Sequence, residues 1–178
     1  MVKIVLAALL IAFITPQVSA QSIGLGPQLG YQKARGADEG KLMGGAALRL
    51  KLTPALGVEG SINYRQEKFQ NGALTVRSWP VMATGLIYPL PIVYGAIGGG
   101  WYNTTFDFEQ PAGAANIEET QQEFGWHFGG GVELPLGSST KLAGDIRYVF
   151  LNYDFEQVPG AEIDSDFYVV TVGLLFGL

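Results

Sequence analysis

The chain has 178 residues, enough for one domain with a full core and too few for two comfortable ones. Hydrophobic residues make up 48% and charged residues 15%, yet past residue 20 no apolar run could cross a bilayer as a helix, and the 25 glycines and 9 prolines follow no collagen-like period or low-complexity block. The absence of cysteine excludes disulfides and thiolate metal sites, and a net charge of −5 argues against a nucleic-acid partner.

The first twenty residues carry Lys3, the apolar run Ile4 to Ile14 and the small-residue ending Val18-Ser19-Ala20. That is the pattern of a secretory signal peptide cleaved before Gln21, so the expected division is residues 1–20 as signal and 21–178 as one domain. The competing reading, an anchor helix, fails on length, because eleven apolar residues at about 1.5 Å each cover roughly half of a hydrocarbon core. Gln21 is not Cys, so no lipoprotein anchor is indicated.

From Ser22 onward the hydrophobic period is two, the period of a strand with two unlike faces. Ser22 to Gln32 sets Ile23, Leu25, Leu29 and Tyr31 against Gly24, Gly26, Gln28, Gly30 and Gln32. Leu42 to Leu52 separates Leu42, Ala46, Leu48, Leu50 and Leu52 from Met43, Gly45, Ala47, Arg49 and Lys51; Leu56 to Arg65 sets Leu56, Val58, Ile62 and Tyr64 against Gly57, Glu59, Ser61, Asn63 and Arg65. The fourth and fifth segments, about Thr75 to Tyr88 and Ile92 to Thr104, are apolar or glycine-rich on both faces, so their facing stays open. Pro80 removes a ladder donor and predicts a bulge or an irregular pairing.

Order returns in the sixth segment, where Phe124, Trp126, Phe128, Val132 and Leu134 oppose Glu123, Gly125, His127, Gly129, Gly131 and Glu133. In the seventh, Leu142, Ile146, Tyr148 and Phe150 oppose Lys141, Ala143, Asp145, Arg147 and Val149. The eighth, Asp166 to Leu178, aligns Tyr168, Val170, Val172, Leu174, Phe176 and Leu178 on one face.

Links of three to five residues at Thr53 to Ala55, Pro89 to Pro91 and Pro135 to Ser139 alternate with longer, polar links at Lys33 to Lys41, Glu67 to Leu74, Thr105 to Gln122 and Asp154 to Ser165. In an up-and-down arrangement all the long links fall at one end, the asymmetry of short periplasmic turns and longer extracellular loops. The expected fold is therefore all-β, an eight-stranded antiparallel up-and-down transmembrane β-barrel, because a strand in hydrocarbon satisfies its backbone only by closure. Its polar face turns inward, and the expected lumen network is Arg49, Lys51, Glu59, Arg65, His127, Glu133, Asp145 and Arg147, charges of both signs that must neutralise one another. Tyr31, Tyr64, Phe124, Phe150 and Tyr168 are expected in interfacial girdles. A secreted soluble barrel of lipocalin or avidin type would reverse the faces, but the supposed wet face would then carry few charges and many glycines.

This pattern resembles the small outer-membrane β-barrel family that includes the membrane domain of outer-membrane protein A, outer-membrane protein X and the opacity-type surface proteins. The resemblance spans the mature chain. It is carried best by the ending from Phe167 to Leu178, with Tyr168, Leu174, Phe176 and Leu178 as the C-terminal assembly signal, and more weakly by Gly144 to Tyr148. The family usually ends in Phe, and Leu178 departs from that habit. The resemblance implies an integral outer-membrane protein, a monomer whose partners are membrane lipids and lipopolysaccharide, the assembly machinery and a surface ligand met through the loops. Phe106, Phe108, Glu118 and Glu119 in the third long link are the candidate surface contact.

Catalytic and cofactor chemistry is not indicated. The deacylase kind of outer-membrane barrel carries a His-x-Ser arrangement, whereas His127, the single histidine, is followed by Phe128-Gly129 and lacks a nucleophile. One histidine and scattered carboxylates form no metal-ligand cluster, and Gly98 to Gly100 and Gly129 to Gly131 lack the Lys-Ser/Thr ending of a phosphate loop. The sequence thus points to a structural or adhesion-like protein, with a narrow porin as the alternative that a side-chain-filled lumen disfavours.

Overall fold

The structure is a computed structural model and describes residues 22–35, 39–69, 74–108, 117–154, 162–164 and 166–178. Residues 1–20, expected as the signal, lie outside that range. Among the described residues there are ten strands: β1 (Ser22–Ala34), β2 (Lys41–Lys51), β3 (Leu56–Phe69), β4 (Leu74–Leu90), β5 (Val93–Phe108), β6 (Ile117–Pro135), β7 (Thr140–Phe150), β8 (Asn152–Asp154), β9 (Glu162–Asp164) and β10 (Phe167–Gly177). Eight of them close in the order β1-β10-β7-β6-β5-β4-β3-β2, every pair antiparallel. The seam is the pairing of β1 with β10, in which Leu25 faces Phe176 and Tyr31 faces Val170, so no sheet edge is left to meet lipid.

The alternation read from sequence is the alternation of burial. On β10 Phe167, Val169, Thr171 and Leu175 are buried while Tyr168, Val170, Val172, Leu174 and Phe176 are exposed. The facing of β4 and β5, open from sequence, is decided here: Ser78, Met82, Thr84, Leu86 and Tyr88 point inward with Tyr94, Ala96, Tyr102 and Thr104, and Val81, Ile87, Ile97 and Trp101 point out. The outer wall is a continuous apolar surface, with Leu29 at 72%, Ile97 at 60% and Val172 at 53% exposed. In water such a belt would be far larger than the few hundred Å² that soluble monomers tolerate, and in lipid it is the solvated face.

Tyr31, Tyr64, Trp101, Phe124, Phe150 and Tyr168 are exposed and lie in the long-loop half of their strands. Two outward clusters join them edge to face, Trp101 with Phe124 and Trp126, and Phe150 with Tyr148 and Tyr168. Beyond Trp101 and Phe124 the same face of β4 to β6 turns polar: Gln122 donates to Asn103 (2.6 Å), Thr105 and Thr120 share a hydrogen bond (2.7 Å), and Arg77 pairs with Asp107. The change from aromatic to polar marks where the wall leaves hydrocarbon.

Three expectations about connections are corrected. Thr105 to Gln122 is not a long loop, because β5 and β6 continue pairing to Phe108↔Ile117 and leave 109–116 as the link; likewise β3 and β4 pair to Phe69↔Leu74. Asp154 to Ser165 begins and ends in a small ribbon, β8 with β9, paired from Asn152↔Asp164 to Asp154↔Glu162. The residues that look like loop are hairpin arms carried past the membrane, where water replaces lipid outside the strands, so that Glu118 to Gln122 is polar at every position and Thr105 to Phe108 alternates over only four residues. That removes the two-face contrast on which the reading relied.

The prolines within strands act on one neighbour only. At Pro80 the β3–β4 ladder is interrupted between Ile62↔Val81 and Arg65↔Ser78 with no change of register, while Pro80↔Tyr102 holds toward β5. Pro27 does the same toward β10 and keeps Ala46 on β2. Of the two forms expected at Pro80 it is the irregular pairing that occurs, and the register slip of that sheet region falls instead between Ile87 and Leu90, at the short turn.

Candidate functional site: the filled lumen

Charges cannot be left alone inside a narrow cylinder, and the strands that carry them alternate so that three carboxylates, Glu59, Glu133 and Asp145, meet three cations, Arg49, Lys141 and Arg147, near mid-barrel. Arg49 on β2 donates to Glu59 on β3 through Nε (2.9 Å) and Nη2 (2.5 Å), and to Glu133 on β6 through Nη1 (3.0 Å). Glu59 also accepts from Arg147 Nη2 on β7 (2.6 Å), and Arg147 donates to both oxygens of Asp145 (3.0 and 2.9 Å). Lys141 completes the chain, donating to Glu133 Oε1 (2.8 Å). Arg49, Glu59, Glu133, Asp145 and Arg147 are all buried.

Neutral groups take up the remaining lone pairs. Tyr88 donates to Glu133 (3.0 Å), Tyr94 to Asp145 (2.9 Å) and Thr171 to Asp145 (2.9 Å), while Arg49 reaches the Tyr94 hydroxyl (3.1 Å). Thr84 accepts from Arg147 Nη1 (3.1 Å), which leaves its own proton for His127 Nε2 (2.9 Å); His127 Nδ1 is then buried with no hydrogen-bond partner among the described residues. Removal of bulk on facing positions makes the room. A Cβ at Gly98 would stand 2.1 Å from the Ala83 carbonyl oxygen and 2.8 Å from His127 Nε2, and one at Gly131 2.7 Å from the Tyr94 ring. The glycine triplets are strand segments, not phosphate loops.

Of the eight residues expected in the lumen network, these bonds join Arg49, Glu59, His127, Glu133, Asp145 and Arg147. Lys51 is half-buried with its Nζ 4.1 Å from the centroid of the Tyr88 ring, beside the cluster and not hydrogen-bonded into it. Arg65 lies toward the long-loop end, half-buried, and is not among the residues these bonds join. Lys141, Tyr88, Tyr94, Thr84 and Thr171 are the members that sequence reasoning left out. Lys141 shares the inward parity of Asp145 and could have been found by it; the two tyrosines sit on β4 and β5, whose parity no pattern revealed.

An apolar layer lies on the long-loop side of the network, formed by Met43, Met82, Tyr102, Val149, Leu151, Phe167 and Val169. Two smaller groups, Leu86 with Tyr88, Tyr94 and Ala96, and Ala47 with Ala143 and Leu175, lie toward the short turns. Cavities beside Arg147 and Val149 and beside Arg49 and Asp145 hold about 10 Å³ each, at the lower limit for one water molecule. No group of three metal-ligating side chains occurs among the described residues.

Tyr168, Leu174, Phe176 and Leu178 all face outward, on the wall of β10 and just beyond its end. Phe106, Phe108, Glu118 and Glu119 are placed by their backbone on the paired arms of β5 and β6, with Phe106↔Glu119 and Asp107↔Glu118; their side chains lie outside the described residues.

A closed antiparallel barrel with an apolar outer belt and a salt-bridged interior defines the class: an integral outer-membrane β-barrel of eight strands. Residues 5–176 match the family described as outer membrane protein beta-barrel domain, and the chain belongs to that family. Its fold is shared by Neisserial surface protein A, 9% identical, with a TM-score of 0.63 over 88% of this chain and 97% of that one. A major outer membrane protein from Thermus thermophilus is 13% identical, with a TM-score of 0.63 over 88% and 99% of the two chains. Ail, the attachment invasion locus protein of Yersinia pestis, solved in complex with the heparin analogue sucrose octasulfate, is 14% identical with a TM-score of 0.53 over 89% and 97%. No curated protein sequence matches the chain.

Proposed function

We propose that the protein is a closed, non-enzymatic barrel whose role is structural or adhesion-like and is carried at the long-loop end, exposed at the cell surface. The observation that supports this reading most is the filled lumen: among the described residues an apolar layer of Met43, Met82, Tyr102, Val149, Leu151, Phe167 and Val169 covers the long-loop side of an ion-pair network, the packing expected of a closed barrel. The one histidine supports it too, since His127 is 1% exposed and bonded to Thr84 inside the wall, away from any lipid or solute. What remains for contact is the pair of arms on β5 and β6, the β8–β9 ribbon and the links beyond them.

On this reading Tyr168, Leu174, Phe176 and Leu178 serve biogenesis, as an apolar strip offered to the assembly machinery before the wall closes, and lipopolysaccharide surrounds the polar rim above Trp101 and Phe124. The test has two arms. Purified barrel in planar bilayers is expected to give no openings of steady size, and steps of constant conductance would refute the sealed lumen. Cells displaying a variant with residues 109–116 replaced by Gly and Ser, its heat-modifiable gel band intact, are expected to attach less to surfaces and to one another; undiminished attachment would remove the adhesive role from this hairpin.

A further inference from the structure

The short-turn mouth of the lumen holds a cavity of about 70 Å³, room for several waters or one tetrahedral oxyanion at roughly 10–15 Å³ per water. Its wall includes Arg49, Lys51 and Lys141 with the single carboxylate Glu133, and the hydroxyl-bearing Ser22 and Ser139. The charges around it do not balance. Among the described side chains of the network and this mouth, four cations, Arg49, Arg147, Lys141 and Lys51, stand against three carboxylates, Glu59, Glu133 and Asp145, and each carboxylate is already held by at least one arginine. Lys51 pairs with no carboxylate among the described residues.

Its ammonium is nevertheless held in place, 4.1 Å from the Tyr88 ring centroid, on the same ring that donates to Glu133. Lys141 places its Nζ 2.8 Å from Glu133 and 3.5 Å from Ser22 Oγ, which leaves at least one of its three donors unspent. Two ammonium groups with free donors thus converge with serine hydroxyls on a cavity that is open to the short-turn side and floored by protein of low dielectric, where an unpaired cation attracts an anion more strongly than on a surface.

We propose that this mouth binds a phosphate group, with Lys51 and Lys141 as its ligands and the serine hydroxyls as further donors. The group comes either from free phosphate or from a phospholipid headgroup of the leaflet on the short-turn side. Arg49 supplies charge from beneath while remaining bonded to Glu59 and Glu133.

Phosphorus-31 NMR of the folded full-length barrel separates the sources: inorganic phosphate titrated into protein in non-ionic detergent, and in parallel phosphatidylglycerol against phosphatidylcholine in nanodiscs. Saturable broadening by phosphate assigns the free ion, and a protein-dependent shift of phosphatidylglycerol alone assigns the headgroup. In whichever arm binds, Lys51→Gln and Lys51→Gln/Lys141→Gln are expected to weaken binding at least tenfold. Lys51→Arg should retain it, and Arg65→Gln, a basic residue at the opposite end, should leave it unchanged, each variant being checked for heat-modifiable migration. No saturable binding in either arm, or equal weakening by Lys51→Gln and Arg65→Gln, overturns the proposal; Lys51→Gln binding as tightly as the parent does so as well.

Discussion

Glu59 is the residue on which the lumen depends most, and its removal is the sharpest test of the interior. It accepts three charge-assisted hydrogen bonds, two from Arg49 and one from Arg147, and its side chain is almost wholly buried. Deleting one partner of a buried pair costs about 3–5 kcal/mol, because a charge is left without compensation. Glu59→Gln strands part of two guanidinium charges, but each keeps a second carboxylate, Glu133 at 3.0 Å for Arg49 and Asp145 at 2.9 Å for Arg147. The loss therefore falls toward the lower end, about 3 kcal/mol, roughly a hundredfold in the folded-to-unfolded ratio. Urea titration in lipid vesicles, followed by tryptophan fluorescence and heat-modifiable migration, measures it. Glu67→Gln is the control, because its pair with Lys41 (3.0 Å) is only partly buried, with side chains 17% and 41% exposed, and water screens it more than the lumen pairs, so its loss should cost less, about 1 kcal/mol. If Glu59→Gln costs no more than Glu67→Gln, the lumen charges reach water and the account of a buried, ion-paired interior is wrong. The double variant Arg49→Gln/Glu59→Gln should cost less than the two single losses together, since the stranded partner goes with it.

Two further outcomes follow from the wall. Gly98→Val should prevent recovery of the folded gel band, because its Cβ would collide with the Ala83 carbonyl and His127, whereas Gly60→Ala, with nothing within 4 Å of the added Cβ, should fold as the parent does; equal behaviour of the two would remove the close-packing argument. Ile97→Arg, in the apolar belt, should destabilise by about 2–4 kcal/mol in vesicle urea titrations and Gln122→Arg, beyond the aromatic row, by at most about 1 kcal/mol, the depth dependence of a lipid-facing charge. A cost at Gln122 equal to that at Ile97 would mean that the membrane boundary has been drawn at the wrong level.

Much of the barrel is legible in the chain because a strand's side chains alternate with a period of two, and lipid on one side with a packed lumen on the other makes that period visible. The eight segments, the short turns and the inward parity of Arg49, Glu59, Glu133, Asp145 and Arg147 all rest on this contrast. Where the contrast vanishes, so does the reading. On β4 and β5 both faces are apolar or glycine-rich, which hid Tyr88 and Tyr94; past the membrane the β6 arm is polar at every position from Glu118 to Gln122 and the β5 arm alternates over only the four residues Thr105 to Phe108, so both look like loop.

What the sequence by itself determined, then, is a chain that must close into a barrel with its charges inside, since hydrocarbon permits nothing else for alternating strands of this length. Which charges meet was decided only by the tertiary structure. Arg147 lies 88 residues from Glu59, and Arg49 lies 84 from Glu133. No local pattern relates them, because their meeting depends on the register of every intervening ladder, including the interruption at Pro80 and the slip at Ile87 and Leu90. The same closure leaves Lys51 and Lys141 together at one mouth with a positive charge to spare.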